Sequence, residues 1–275
     1  MIKYSGINGQ ILPLEEAVFP VSDLATLRGY GIFDYFLFVK NQPLFIEDYL
    51  DRFYKSAQMM FLEVPLTREE LKKHIQELIN ANAQSKGSIR LLLTGGDSPD
   101  GYTPGRPNLA VLQYMPSPDN PDLYEKGIKL ILNEYTRELP EVKTINYLNG
   151  IRLLGELKRK NAHEPLYHYG GLLRETVRSN VFVVDSEGVM HTPNEGILMG
   201  ITRKKIIELA PKLSIQLKVA PVPVSLLDTC SEVFVTGSNK KVMPVVAIDE
   251  MIIGHGKPGP IFQKIQRAFE DLSNG

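Results

Sequence analysis

The chain has few cysteines, no long apolar run and no visible secretory signal, and each of these would mark a particular class of protein. It has one cysteine, Cys230, which excludes an internal disulfide and fits a reducing compartment. No histidine stands near Cys230 in a recognisable motif, so we interpret it as a small buried apolar residue rather than a nucleophile. No apolar run approaches the length of a membrane span, and no secretory signal is visible near Met1. We therefore expect a soluble, cytoplasmic protein without a membrane partner.

The net charge is also small, and no metal site is predicted. With 31 Lys+Arg and 32 Asp+Glu the formal net charge is -1, which gives no reason to expect nucleic acid as a partner. The hydrophobic content of 43% is ordinary for a globular protein. A length of 275 residues suits one large domain or two modest ones, and there is no repeat or low-complexity tract.

The first part of the chain reads as strands followed by helices. The segment from Tyr30 to Val39 is aromatic and β-branched, as a buried strand should be, and Leu44–Ile46 is predicted to resume extended structure as a hairpin. Apolar residues recur at helical spacing over 48–61. Thr67 and Glu70 form a candidate capping box that opens a helix to about Ala83. Further strands are predicted at 88–94 and 108–114.

A proline-rich segment divides the chain. Residues 115–121 hold three prolines in seven, which resists both helix and central strand, so we predict a linker at 116–121. It would join a smaller N-terminal α+β domain, 1–115, to a larger C-terminal α+β domain, 122–275. In the second domain we predict strands at 129–133 and 232–236, a strand pair around 185–188, and helices at 146–161, 202–213 and 258–272. Domain interfaces are where small-molecule sites tend to lie.

Two residues are candidates for the chemistry of pyridoxal phosphate. Lys143 follows a short apolar run just before a helix-like segment, and Glu175 stands at a strand edge downstream. This cofactor needs an amine to hold its aldehyde and a carboxylate to keep its ring an electron sink. One lysine and one glutamate prove little in a chain with this many charges, so their surroundings decide the interpretation.

Three further features could bind the phosphate group of such a cofactor. Gly200-Ile201-Thr202 opens a helix, where free N–H groups favour an anion and the Thr202 hydroxyl could cap, although a plain helix cap explains it as well. The turn Thr236-Gly237-Ser238-Asn239 offers more N–H donors but could be a routine turn. Arg52 could supply a bidentate cation, or it could be a solvated arginine paired with Asp48.

Taken together, these residues resemble the fold-type IV pyridoxal phosphate enzymes, the class IV aminotransferase family. That family includes branched-chain aminotransferase, D-amino acid aminotransferase and aminodeoxychorismate lyase. The resemblance covers nearly the whole chain, and its ordered motifs are Arg28 to Asp34, Asp51 to Ala57, Lys143 to Leu148, Glu175 to Phe182, His191-Thr192-Pro193, Gly200 to Arg203, Glu232 to Ser238 and Met243-Pro244-Val245.

The resemblance implies a two-domain α+β fold, a homodimer and roles for particular residues. It makes Lys143 the Schiff-base lysine and proton shuttle, and it pairs Glu175 with the pyridine nitrogen. It makes Tyr147 and Asn180 line the cofactor. The residues around the phosphate would be Arg52, Ile201, Thr202, Gly237 and Ser238.

Substrate choice is where the chain departs from the family pattern. Gly95-Gly96 stands where the D-amino acid branch has an arginine, and an acidic Asp100 before Tyr102 argues against a dianionic lyase substrate. Arg90 matches an arginine of the branched-chain branch, whereas the spacing after Lys143 matches the other two branches. The substrate-binding candidates are Phe33, Arg90, Tyr102 and Arg178; Arg178 could instead point away from the substrate into solvent.

The leading prediction is an aminotransferase that moves an amino group between an amino acid and a 2-oxo acid by a ping-pong mechanism. The first alternative is aminodeoxychorismate lyase, which converts 4-amino-4-deoxychorismate to p-aminobenzoate and pyruvate. The second alternative is a non-catalytic protein that keeps the fold and binds the cofactor.

Overall fold

The chain folds into two compact units. The structure is a computed structural model that describes residues 1–116 and 120–274. The first unit comprises Met1–Pro118 and Val142–Asn146, and the second comprises Asp119–Glu141 and Tyr147–Gly275. Of the linker predicted at 116–121, residues 117–119 lie outside the described part of the chain. Within the described ranges, the helices are too short or too polar to cross a membrane.

The first unit is built on one antiparallel sheet. Its strands are β1 (Tyr4–Ile7), β2 (Gln10–Pro13), β3 (Gly31–Val39), β4 (Gln42–Pro43), β5 (Lys86–Thr94) and β6 (Leu109–Tyr114), and its helices are α1 (Leu24–Arg28), α2 (Ile46–Met59) and α3 (Arg68–Asn82). The strands pair in the order β2-β1-β6-β5-β3-β4. The predicted strand at 30–39 and the predicted helix at 48–61 correspond to β3 and α2.

The two faces of this sheet differ because side chains alternate along each strand. On β3, Ile32 and Phe36 are fully buried, and α2 packs against this strand. Phe33 and Tyr35 lie on the opposite, half-buried face, together with Arg90, which pairs with Tyr35 across the strands. That second face therefore carries two of the candidate substrate residues.

The capping box predicted for α3 is confirmed. The Thr67 hydroxyl accepts a hydrogen bond from Glu70 N, and the Glu70 carboxylate accepts one from Thr67 N. Each side chain satisfies a backbone donor that the helix leaves unpaired, so the local sequence determines where the helix begins.

The second unit is built around a closed barrel of six strands. Its strands are β7 (Ile128–Glu134), β8 (Glu164–Tyr169), β9 (Leu172–Thr176), β10 (Asn180–Val184), β11 (Met190–Thr192), β12 (Leu217–Val219), β13 (Glu232–Gly237), β14 (Lys241–Ile248) and β15 (Met251–Ile252). Its helices are α4 (Pro121–Lys126), α5 (Leu148–Arg152), α6 (Leu154–Arg159), α7 (Ile201–Leu209) and α8 (Pro260–Asn274). The ring runs β10-β13-β14-β7-β8-β9 and closes where β9 pairs with β10.

The barrel has an apolar interior of valines, leucines and isoleucines. Val181 and Val183 of β10 and Val233 and Val235 of β13 belong to this buried core, at alternate positions of paired strands. Asn180 and Thr236, which pair with each other, lie on the other face of the same two strands. The interior thus stabilises the barrel. The outer face of these two strands carries the buried pair Phe182 and Phe234, and it presents the polar groups Asn180 and Thr236 at one end.

Three of the predicted elements differ in detail. The single helix predicted at 146–161 is two short helices, α5 and α6, in a stretch weakened by Gly150 and Gly155. Helix α7 ends at Leu209 because Pro211 lacks the N–H that would continue it, and a 3-10 turn follows. The chain turns at Phe45, which has a φ of 53°, so α2 begins where extended structure was predicted.

Candidate active site

The candidate lysine lies on a segment that docks along β3. Lys143 O accepts a hydrogen bond from Phe33 N at 2.9 Å, and Ile145 N donates to Gly31 O at 3.1 Å. These bonds attach Val142–Asn146 to the first unit, whereas the sequence had assigned Lys143 to the C-terminal domain. In the structure a backbone pairing across more than a hundred residues groups Lys143 with the first unit, and the domain boundary at 116–121 stays a prediction. Tyr147, where the chain re-enters the second unit, is the half-buried N-cap residue of α5.

Two cations lie over one aromatic ring on the half-buried face of the first sheet. Lys143 Nζ is 4.6 Å from the centroid of the Phe33 ring, and Arg90 Cζ is 5.4 Å from the same centroid. Arg90 Cζ is also 5.4 Å from the ring of Tyr114. Arg90 Nε is buried, and among the described residues it has no hydrogen-bond partner. The aromatic rings hold the guanidinium by cation–π attraction while leaving a buried donor to be satisfied, which suits a carboxylate ligand.

Arg52 is bound to a carboxylate of its own unit. Its Nη2 and Nε donate to Asp34 Oδ1 at 2.6 Å and Oδ2 at 3.0 Å, a bidentate pair. The Asp34 side chain is 1% exposed, so this ion pair lies in the interior between β3 and α2. Arg52 is therefore not the solvated arginine of the alternative interpretation. Its proposed contact with phosphate stays a prediction.

The loop that carries Tyr102 is organised by Asp100. The Asp100 carboxylate accepts hydrogen bonds from Thr103 N at 2.7 Å, Tyr102 N at 2.9 Å and Thr103 Oγ1 at 2.8 Å. The bonds from Thr103, with that from Tyr102 N, hold the pKa of Asp100 well below its ordinary value. Asp100 therefore shapes the loop. Tyr102 itself is 81% exposed, and its contact with a substrate stays a prediction.

Glu175 is held by an arginine that the sequence analysis missed. Glu175 Oε1 accepts hydrogen bonds from Arg137 Nε at 2.9 Å and Arg137 Nη2 at 2.7 Å, and Oε2 accepts from Leu198 N at 3.0 Å. The Glu175 side chain is 7% exposed. Asn180 Nδ2 lies 3.5 Å from Glu175 Oε2 and donates to Leu198 O at 2.8 Å, so it ties the carboxylate to the loop before α7. Arg137 lies in an irregular segment, where no periodic pattern singled it out.

The start of α7 is suited to an anion, although its cap differs from the prediction. Gly200 is the N-cap, Thr202 is the second helical residue, and within the described chain no side chain caps this end of the helix. Thr202 as the cap is therefore wrong. A Cβ on Gly200 would lie 2.0 Å from Asn180 Oδ1, so glycine is required for this close packing. Ile201 and Thr202 are both buried, and the N–H groups of the first turn carry partial positive charge.

Two buried hydroxyls, one from β13 and one from the segment between β9 and β10, lie near the turn that follows β13. Among the described residues, Thr236 Oγ1 and Ser179 Oγ are buried and have no hydrogen-bond partner. A Cβ on Gly237 would lie 3.0 Å from Arg178 O and 3.4 Å from Ser179 Oγ, so a larger residue would crowd this turn. Unsatisfied buried donors beside a glycine are the features expected where a phosphate oxygen binds.

Arg178 is paired within its own unit. Its Nε donates to Glu164 Oε1 at 3.0 Å, and its side chain is 66% exposed. The sequence leaves open whether Arg178 binds substrate or points into solvent; in the structure its guanidinium pairs with Glu164. Its role as a substrate-binding residue stays a prediction.

Comparison with known proteins identifies the family. The model for amino-transferase class IV matches residues 31–248. The chain belongs to the class IV aminotransferases. It is 30% identical over 274 residues to a putative branched-chain-amino-acid aminotransferase of Methanocaldococcus jannaschii, covering 97% of this chain and 95% of the relative. It is also 30% identical over 268 residues to a D-alanine aminotransferase of Staphylococcus haemolyticus, covering 96% of this chain and 95% of that protein.

Solved structures agree with this assignment. A branched-chain amino acid aminotransferase from T.th., solved with pyridoxamine 5′-phosphate, superposes with a TM-score of 0.92 at 26% identity, covering all of this chain and 95% of that one. The predicted α+β fold of fold-type IV and the predicted pyridoxal phosphate-dependent transaminase are confirmed. The non-catalytic alternative is not supported.

The residues of this aminotransferase fit its cofactor, pyridoxal phosphate. Two buried hydroxyls without partners in the described chain, Ser179 Oγ and Thr236 Oγ1, flank a glycine turn that suits a phosphate. Glu175 is a buried, oriented carboxylate of the kind that the ring nitrogen requires. Lys143 supplies an amine beside an aromatic ring.

Proposed function

We propose that this aminotransferase works by a ping-pong cycle in which Lys143 holds the aldehyde carbon of the cofactor and then moves the proton. The observation that carries the proposal is the pair of cations over the Phe33 ring, Lys143 Nζ at 4.6 Å and Arg90 Cζ at 5.4 Å. An amino acid whose carboxylate binds Arg90 would present its α-carbon near Lys143, which is the proximity that proton transfer needs.

The chain's own residues divide the remaining work. When bound, pyridoxal phosphate supplies a ring that takes up the electrons released as the substrate Cα–H bond breaks. Lys143 Nζ would accept that proton and hold it for return. Glu175 pairs with the ring nitrogen, and its orientation is fixed by Arg137 and by Leu198 N.

The phosphate is assigned to the two features of the second unit that suit an anion. Ile201 and Thr202 would donate from the uncapped start of α7, and Gly237 and Ser238 from the turn after β13. Asn180 would line the cofactor beside Glu175. Two further assignments, Arg52 on the phosphate and Tyr147 beside the ring, rest on the family resemblance alone.

The substrate we propose is a branched-chain aliphatic amino acid, paired with a 2-oxo acid as acceptor. Arg90, which matches an arginine of the branched-chain branch, has an unsatisfied Nε among the described residues. Gly95 stands where the D-amino acid branch carries an arginine, and a Cβ there would lie 2.6 Å from Tyr30 Cδ1 and 3.0 Å from Leu24 Cβ. The packing therefore disfavours any side chain at that position.

We also propose a homodimer located in the cytoplasm. An exposed apolar strip on α5 and α6, made of Leu148, Ile151 and Leu154, is 60–65% exposed and supports an interface with a second copy. Fractionation of cells that express the chain would test the location.

The first experiment is the visible absorption spectrum of the purified protein with its cofactor. Separate pools of L- and D-branched-chain amino acids, and L- and D-alanine, are then added. We expect the long-wavelength absorption band to bleach fastest with one enantiomer of the branched-chain amino acids. In a folded Lys143→Ala variant we expect no bleaching with any of them. Faster bleaching with D-alanine would overturn the substrate proposal, and the absence of bleaching with every amino acid would overturn amino transfer.

The role of Arg90 is tested separately by Arg90→Gln. Loss of a charge-assisted hydrogen bond to the substrate carboxylate should raise KM for the amino acid by about 10–100-fold. Lys86→Gln is the matched control, because it removes an exposed cation from the same strand, β5. An unchanged KM in Arg90→Gln would assign the carboxylate to another residue.

A further inference from the structure

A buried carboxylate with no role in the proposed chemistry lies in the second unit. Glu164, at the start of β8, is 2% exposed. Its Oε1 lies 2.5 Å from Lys240 Nζ and accepts a hydrogen bond from Arg178 Nε at 3.0 Å. Its Oε2 accepts one from Thr176 Oγ1 at 2.6 Å. The three partners come from two segments that are about 60 positions apart in the chain, so Glu164 joins parts that the sequence separates.

Both segments border residues assigned to the cofactor. The first, residues 176–179, connects Glu175 on β9 to Asn180 on β10. The second, residues 238–240, is the hairpin turn that follows Gly237. The first segment packs against the residue that leads into the second, since a Cβ on Gly237 would lie only 3.0 Å from Arg178 O. We call them the carboxylate turn and the phosphate turn.

One backbone hydrogen bond closes the carboxylate turn, from Thr176 N to Ser179 O at 2.8 Å. Strands β9 and β10 pair through the single register position Glu175–Asn180. Within the turn, Ser179 N and Arg178 N donate to Thr176 Oγ1 at 2.9 Å and 3.3 Å. The Thr176 hydroxyl in turn donates to Glu164, so the bond to Glu164 fixes the hydroxyl on which the turn is organised.

The cluster sets one buried carboxylate against two cations. Burial by itself would raise the pKa of Glu164, but the charges of Lys240 and Arg178, with the hydrogen bond from Thr176, hold it below its ordinary value. A buried carboxylate is stable only with such partners, and removing it would leave the Lys240 ammonium without its counter-charge.

We propose that Glu164 is a positioning residue for cofactor binding, which braces the carboxylate turn and the phosphate turn against each other through Thr176, Arg178 and Lys240. The inference rests on the proposed function, in which Gly237 and Ser238 bind the phosphate group. Lys240 belongs to the phosphate turn itself. Loss of its ion pair should therefore weaken binding of the phosphate group more than binding of the pyridine ring.

The test compares two ligands that differ only in the phosphate. Cofactor-free protein is titrated with pyridoxal 5′-phosphate and with pyridoxal, and binding is followed by absorption. In Glu164→Gln and in Lys240→Met we expect affinity for the phosphate ester to fall about tenfold, with a much smaller change for pyridoxal. Lys240→Arg should restore affinity. Glu250→Gln, which breaks the exposed Lys129–Glu250 pair in the same unit, is the control.

Each result decides the matter. An equal loss for both ligands, or a loss of thermal stability with the ratio of affinities unchanged, would reduce Glu164 to a structural role and overturn the proposal. If Glu164→Gln does not fold, Lys240→Met decides alone, because it removes the counter-charge and leaves Arg178 on the carboxylate. Wild-type protein that binds both ligands equally would overturn the assignment of the phosphate site, which is a failure of the proposed function and is seen without any variant.

Discussion

Replacing Arg137 by methionine measures what holds Glu175 in place. The guanidinium donates twice to Glu175 Oε1, at 2.9 Å and 2.7 Å, and the two side chains are 19% and 7% exposed. Methionine keeps most of the length of the apolar stem and removes the charge. The variant therefore leaves a buried carboxylate that has lost its bidentate partner.

The expected loss of stability follows from that geometry. Removing one partner of a buried ion pair typically costs about 3–5 kcal/mol. Arg137 is partly exposed, and Leu198 N still donates to Glu175 Oε2 at 3.0 Å, so we expect about 2–3 kcal/mol, the scale of hydrogen bonds to a charged group. For a chain of this size, that corresponds to a fall in Tm of roughly 4–12 °C.

The assay is unfolding of the cofactor-free protein by heat and by denaturant, in a double-mutant cycle with Glu175→Gln. The two side chains contact each other, so the double variant should be more stable than the sum of the two single losses allows. A single-variant loss below about 0.5 kcal/mol, the range of ordinary surface substitutions, would refute the reasoning. Additive losses in the cycle would refute it too.

Three other predictions concern stability, reactivity and assembly. Thr67→Ala should cost about 1 kcal/mol in denaturant unfolding because it removes the capping box of α3, whereas Thr67→Ser should be nearly neutral; equal losses would contradict this. Burial raises the pKa of the Cys230 thiol to about 11, so a thiol reagent at a pH of about 8 should react only after unfolding. Rapid labelling of the native protein would contradict the interpretation of Cys230 as a buried, unreactive residue. Ile151→Asp should shift sedimentation toward the monomer; Ile252→Asp, equally exposed in the same unit, is the control, and no difference between the two would place the interface elsewhere.

Local patterns in the sequence were enough to predict many elements. The run of aromatic and β-branched residues before Val39 predicted β3, and the Thr67–Glu70 pair predicted the start of α3. The motifs around Lys143 and Glu175 led to the class IV aminotransferases, which the family match confirms. Such features depend on neighbours a few positions apart, so one sequence expresses them directly.

The pairings that organise the site were decided by the tertiary structure. Arg137 and Glu175 are 38 positions apart, and in the sequence Arg137 is one cation among many. The docking of Lys143 along β3 depends on backbone hydrogen bonds, which carry no side-chain signature. Glu164 gathers partners from two turns whose approach is fixed by closure of the barrel. The sequence by itself thus determined the family and supplied the candidate reactive residues, while only the folded chain decided which charges pair, because ion pairs depend on distance in space.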